Sequence, residues 1–68
     1  MRYEIVVKDL IEPTKNFSVI EISGAVRLCD NGTRSYYYRS YKMALKKMDI
    51  LVRKYPCYEF SILEVDFS

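Results

Sequence analysis

The chain has 68 residues, half of them hydrophobic, with a net charge of +2, seven tyrosines and no histidine. That length supports one small core near the lower limit for folding without staples, and the apolar content argues against a disordered chain. A chain this short encloses a deep catalytic pocket with difficulty, and no stretch approaches the roughly 20 apolar residues of a bilayer span.

RYEIVVK (2–8) reads as a first strand, with Tyr3, Ile5 and Val7 on one face. Its apolar run is too short for a signal peptide and is flanked by Glu4 and Asp9, so the expected setting is cytoplasmic, with no membrane partner. DLIEPTKN (9–16) reads as a loop, because Pro13 has no amide to donate and Asn16 favours turns. FSVIEISGAVRLCD (17–30) alternates, with Ile20, Ile22, Val26 and Leu28 apolar and Glu21, Ser23 and Arg27 polar. That pattern predicts one long strand with a buried and an open face. Gly24 sits mid-strand, as a bulge, a bend or a close approach of a helix.

Asn31-Gly32 is a type I′ hairpin signal, since that turn needs positive φ at both central residues. A two-residue turn there sets Arg27 opposite Tyr36, Val26 opposite Tyr37 and Ala25 opposite Tyr38. Opposed residues share a face. Tyr37 is therefore expected in the core, and Tyr36 and Tyr38 on the open face with Arg27 and Arg34. A one-residue bulge would exchange the two sets.

Ser40 is placed to cap a helix. Tyr41, Ala44, Leu45, Met48, Leu51, Val52 and Tyr55 recur at the spacing of a stripe lying on a sheet, and Lys42, Lys46, Asp49 and Arg53 line the other side. Pro56 ends the helix. YEFSILEVDF (58–67) is a last strand with apolar residues of both parities, which implies cover on both faces or a change of phase. The expected fold is a single α+β domain of order β-β-β-α-β: a four-stranded mixed sheet with one helix packed on one face. In that arrangement the third and last strands run parallel to the first, with the last beside it.

Charge is unevenly distributed. Residues 34–54 carry +6, residues 57–68 carry −3, and the rest carry −1. Such asymmetry bears on partners and not on fold. No catalytic constellation is visible: the commonest general base is missing, and Glu64 with Asp66 reads as a solvated strand end. Two thiols, Cys29 and Cys57, do not complete a tetrahedral metal site; free cysteines are the ordinary reading in a reducing compartment, and a disulfide between them is the alternative if their strands meet. No cofactor is implied. What remains is a candidate partner surface of Tyr36, Tyr38, Arg27 and Arg34, with the basic helix residues Lys42, Lys46 and Arg53 as a second. Tyrosine and arginine suit binding surfaces through wide contact area and directional donors. They also stabilise a bare sheet face by cross-strand packing.

The basic hairpin and helix from Val26 to Tyr55, with its SYKMALKKM start, resemble the three-strand-plus-helix DNA-binding domains of phage-type integrases. That resemblance implies a nucleic-acid partner, with cations on phosphate and aromatic rings on bases. In size and style the whole chain resembles small phage-encoded accessory proteins, including anti-CRISPR inhibitors. That resemblance implies a non-catalytic module that blocks a host protein or complex stoichiometrically. Self-association is a third expectation, through an exposed edge strand or the Met43/Ile50 ridge.

Overall fold

A computed structural model describes residues 1–12, 17–30 and 34–66. Five strands and one helix follow in the order β1 (Arg2–Asp9), β2 (Phe17–Ile22), β3 (Ala25–Asp30), β4 (Tyr37–Tyr38), α1 (Tyr41–Lys54) and β5 (Tyr58–Val65). The α+β class agrees with expectation, but the single four-stranded sheet does not. There are two sheets: β4-β1-β5 with three strands and β2-β3 with two, and every strand pair is antiparallel.

One turn accounts for most of the difference. The stretch 17–30 is not one strand but a hairpin, reversed at Ser23 (φ 52°) and Gly24 (φ 82°). Positive φ at both central residues is the type I′ requirement, and it matches the right-handed twist of the flanking strands. Ile22 lies opposite Ala25 and Val19 opposite Leu28. Across a two-residue turn, opposed residues have opposite parity, so the buried set changes from odd positions in β2 to even positions in β3. Val19 and Val26 enter the core, whereas Ile22 is exposed. A steady even-numbered buried face from Ile20 to Leu28 is therefore excluded.

This extra reversal also flips the sense of everything after it. Both β4 and β5 run antiparallel to β1, where a parallel relation is expected without the hairpin. β5 does lie beside β1, in unbroken register from Arg2 opposite Val65 to Asp9 opposite Tyr58. No bulge shifts its phase: Phe60 and Ile62 pack toward the core, and Leu63 is left exposed on the other side. Phe67 and the Asn31-Gly32 turn lie outside the described residues. The pairing expected across that turn is replaced, because β3 pairs with β2 and β4 with β1.

The two sheets meet at residues 36–38. The Tyr36 amide donates to the Val19 carbonyl at 2.9 Å, and the next two residues pair with Tyr3 and Glu4 of β1. The core draws one or two side chains from each of β1 to β4 and α1 around this junction, and none from β5: Ile5, Val19, Val26, Tyr38, Ala44 and Leu51. Tyr3, Val7, Leu28, Met48, Tyr55, Phe60 and Ile62 pack around it. The helix begins as its cap predicts, with the Met43 amide donating to Ser40 Oγ at 3.1 Å. Arg53 and Lys54 sit in its last turn, where cations oppose the carbonyl end of the helix dipole. At the end of β1 the buried carboxylate of Asp9 accepts from the Ile11 and Glu12 amides, holding an Asx turn. Among the described residues no helix is long and apolar enough to cross a membrane.

The hairpin has a clean test. Nothing lies within 4 Å of where a Cβ on Gly24 would stand, so the cost of Gly24→Ala is conformational alone. It is expected to lower unfolding free energy by about 1–2 kcal/mol in urea titration, because L-residues resist the left-handed region. Ser23→Asn should leave stability unchanged or raise it, since asparagine tolerates that region better.

Candidate functional site

The Tyr/Arg group does not assemble as one open face. Tyr38 is 1% exposed, one of the most deeply buried large side chains, whereas Tyr37 is half-buried and Tyr36 is 43% exposed. The core and surface assignments of Tyr37 and Tyr38 are thus exchanged. β4 pairs with β1, so Tyr38 shares a face with Tyr3 and Ile5 while Tyr37 shares one with Glu4 and Val6. Tyr36 keeps ring contact with Tyr38, at 4.8 Å between centroids and 59° between planes, but Tyr38 is its backing and not its neighbour on a surface. Arg27 is exposed on the side of the hairpin away from the core, opposite Ile20, and is not opposite Tyr36. Arg34 is exposed just ahead of β4.

Burial gives Tyr38 a polar task as well. Its hydroxyl donates to Glu21 Oε1 at 3.4 Å, and the same oxygen receives Lys47 Nζ at 3.3 Å. Lys47 also donates to the Gly24 carbonyl at 3.1 Å, so one lysine on α1 ties the hairpin turn to the helix. Burial of the ring, and then the Glu21 carboxylate beside it, push the Tyr38 hydroxyl well above the ordinary phenol range. Glu21, which alternation alone assigns to the open face, is inward-facing and mostly shielded.

The basic helix residues are brought together. Lys42, Lys46 and Arg53 are exposed along the side of α1 away from the sheets, and Arg53 pairs with Asp49 at 3.1 Å across one turn. Apolar side chains flank this ridge on both sides. Tyr41, Leu45 and Val52 were expected under the helix, yet each is about half exposed, as are Met43 and Ile50 on the opposite flank. At 3.6 residues per turn these residues and the buried stripe together cover about 220° of the helix circumference. Two small sheets cover only the middle of that arc, so Ala44 and Leu51 are buried and both margins are left bare. A shallow groove of about 430 Å³ runs between Leu45, Met48 and Val52 on one side and Lys42, Lys46 and Asp49 on the other. The width of the stripe was the available signal: a core-facing helix needs an arc of about 100°.

Cys29 is half-buried and Cys57 exposed, and both are free thiols. Among the described residues no group of three or more histidine, cysteine or carboxylate side chains is placed to hold a metal. No family model matches this chain, and neither a curated protein nor a solved structure matches it.

Ionising Tyr38 must break the Glu21 contact inside the core. Its contribution to stability is present below the ordinary phenol value of about 10 and is lost as pH rises through the higher folded-state value. Wild-type protein should therefore lose unfolding free energy steadily above about pH 10. Tyr38→Phe, measured by urea titration across that range, should be less stable at neutral pH but flatter with pH.

Proposed function

We propose that the chain is a non-catalytic protein-binding module whose partner docks on the outer surface of α1. The observation that supports this reading is the exposure of Tyr41, Met43, Leu45, Ile50 and Val52, each between 43% and 53% accessible, on a 14-residue helix. Their transfer out of water would favour association by about 25 cal/mol for each Å² covered. Lys42, Lys46 and Arg53 stand between the two apolar flanks, so the complementary surface is apolar with acidic groups at its middle.

The resemblance to small phage-encoded accessory proteins of the anti-CRISPR type suggests a setting for such a surface. There the partner is a host protein or complex in the cytoplasm, and occupancy blocks it one-for-one. A second reading, nucleic-acid binding, draws on the basic ridge and on the exposed Tyr36 ring. It is the weaker of the two, because the ridge is narrow, is flanked by apolar side chains, and belongs to a chain of net charge only +2.

Affinity capture with and without nuclease separates the two. The wild-type chain should retain a protein in stoichiometric amount, resistant to nuclease. The double variants Leu45→Ser/Val52→Ser and Met43→Ser/Ile50→Ser should lose about 10-fold or more in affinity at unchanged helix content, as expected when central apolar contacts are removed. Retention that disappears with nuclease and falls steeply with salt would assign the surface to nucleic acid instead.

A further inference from the structure

The larger sheet has two unequal edges. At one, β4 pairs with β1 over only two residues. At the other, β5 runs for eight residues, and among the described residues no strand pairs with its outer side. Short length, proline, lysine and bulges are the usual means of blunting an edge. β5, YEFSILEV, contains neither proline nor lysine, and its register with β1 is unbroken. The ladder also shows which of its backbone groups are open. One step beyond the Asp9–Tyr58 pair, the Leu10 amide donates to the Cys57 carbonyl at 3.3 Å. Antiparallel pairs alternate, so Glu59, Ser61, Leu63 and Val65 turn their amides and carbonyls toward β1. Phe60, Ile62 and Glu64 turn theirs outward.

We infer that a second copy of this chain pairs with the outer edge of β5, antiparallel, about a two-fold axis through Ile62. An axis normal to the sheet keeps both helices on one side, and opposed residues then belong to the same face. Glu59 and Glu64 lie on opposite faces, so they never oppose each other. With the axis at Ile62, that residue meets its own copy, Phe60 meets Glu64, Ser61 meets Leu63 and Glu59 meets Val65. No like charges are opposed, and every outward amide and carbonyl of Phe60, Ile62 and Glu64 finds a partner. The helix adds side-chain cover. Its Met43/Ile50 flank lies toward the hairpin, where Lys47 reaches the Gly24 carbonyl. The half-exposed Tyr41, Leu45 and Val52 are on the other flank, toward β5, the strand on which α1 packs most. Across the axis two such flanks face each other above Phe60 and Ile62, which are half-buried in the single chain. That flank is also part of the surface proposed for a protein partner, so the second copy and that partner compete for it. The strand pairing itself does not rest on that reading.

Sedimentation equilibrium of the purified chain, with no other protein present, tests the inference. The mass is expected to rise with concentration from 8.1 kDa toward twice that value by about 1 mM. In hydrogen exchange the Phe60, Ile62 and Glu64 amides should gain protection with concentration, while those of Glu59, Ser61 and Leu63 are protected throughout. Ser61→Lys/Leu63→Lys, at two exposed positions, sets lysine opposite lysine across the axis and should leave a monomer of unchanged helix content. Ser61→Glu/Leu63→Lys sets opposite charges there and should keep the dimer. Leu45→Ser/Val52→Ser should weaken the dimer by about 10-fold, and Met43→Ser/Ile50→Ser should not. The two-lysine variant leaves α1 intact, so it loses the dimer while keeping whatever binds the helix, which separates the two readings. The inference is overturned if the mass stays at that of one chain up to about 1 mM, or if a dimer forms without protecting the outward amides. It is equally overturned if the two charge variants behave alike, or if those amides are protected only when another protein is bound.

Discussion

The structure depends on one buried tyrosine. Tyr38 has its backbone in the three-stranded sheet, its ring among the core side chains of both sheets and the helix, and its hydroxyl on Glu21 of the hairpin. Glu21 in turn holds Lys47, and Lys47 holds the carbonyl of the hairpin turn. A small core with few fully buried side chains lacks the apolar area to fix the relative placement of three layers by packing alone. A polar chain that is satisfied at every step supplies the missing geometric definition. Among the described residues, no side-chain polar atom is left buried without a partner.

Much of this fold is legible in the residues, and the failures share a cause. The first and last strands, the Ser40 cap and the Pro56 stop all follow from local rules that act within a few residues, and the adjacency of the two strands from the element order. What does not follow is the sense of the strands. Ser23-Gly24 interrupts a run whose alternation is otherwise regular, and period-two alternation continues in appearance through a tight hairpin. At 14 residues, however, the run from Phe17 to Asp30 exceeds the usual strand length of roughly 3–10. Reading the serine–glycine pair as a turn gives the parity change and the antiparallel β4 and β5 together, and the β4–β1 register then buries Tyr38. The asparagine–glycine pair eight residues later carries the stronger turn signal, which draws the pairing to the wrong place.

The candidate surfaces follow the same division. The basic ridge of α1 is visible in sequence because helical periodicity sorts charge from hydrophobe. The exposure of Tyr41, Leu45 and Val52 is not, because periodicity says which residues share a side of a helix and not how much sheet exists to cover them. Arg2 and Arg39 converge only through the pairing of β1 with β4, a contact between residues that lie 35 positions apart at Tyr3 and Tyr38. Tyr36 lies on the other side of that strand, in ring contact with Tyr38. The three-tyrosine run thus divides into a core anchor, a half-buried residue on the far side of the sheet, and an exposed ring in contact with the anchor.

The ladder between β1 and β5 has a consequence for how the chain reaches this state. Its partners lie between 49 positions apart, at Asp9 and Tyr58, and 63 positions apart, at Arg2 and Val65. The central strand of the larger sheet therefore gains its only full-length neighbour after the hairpin, the junction strand and the helix have been drawn together. Closing so long a loop is entropically unfavourable until many contacts form at once. No fragment that ends within α1 contains a complete version of this sheet, so ordering of the two ends belongs to a single cooperative event.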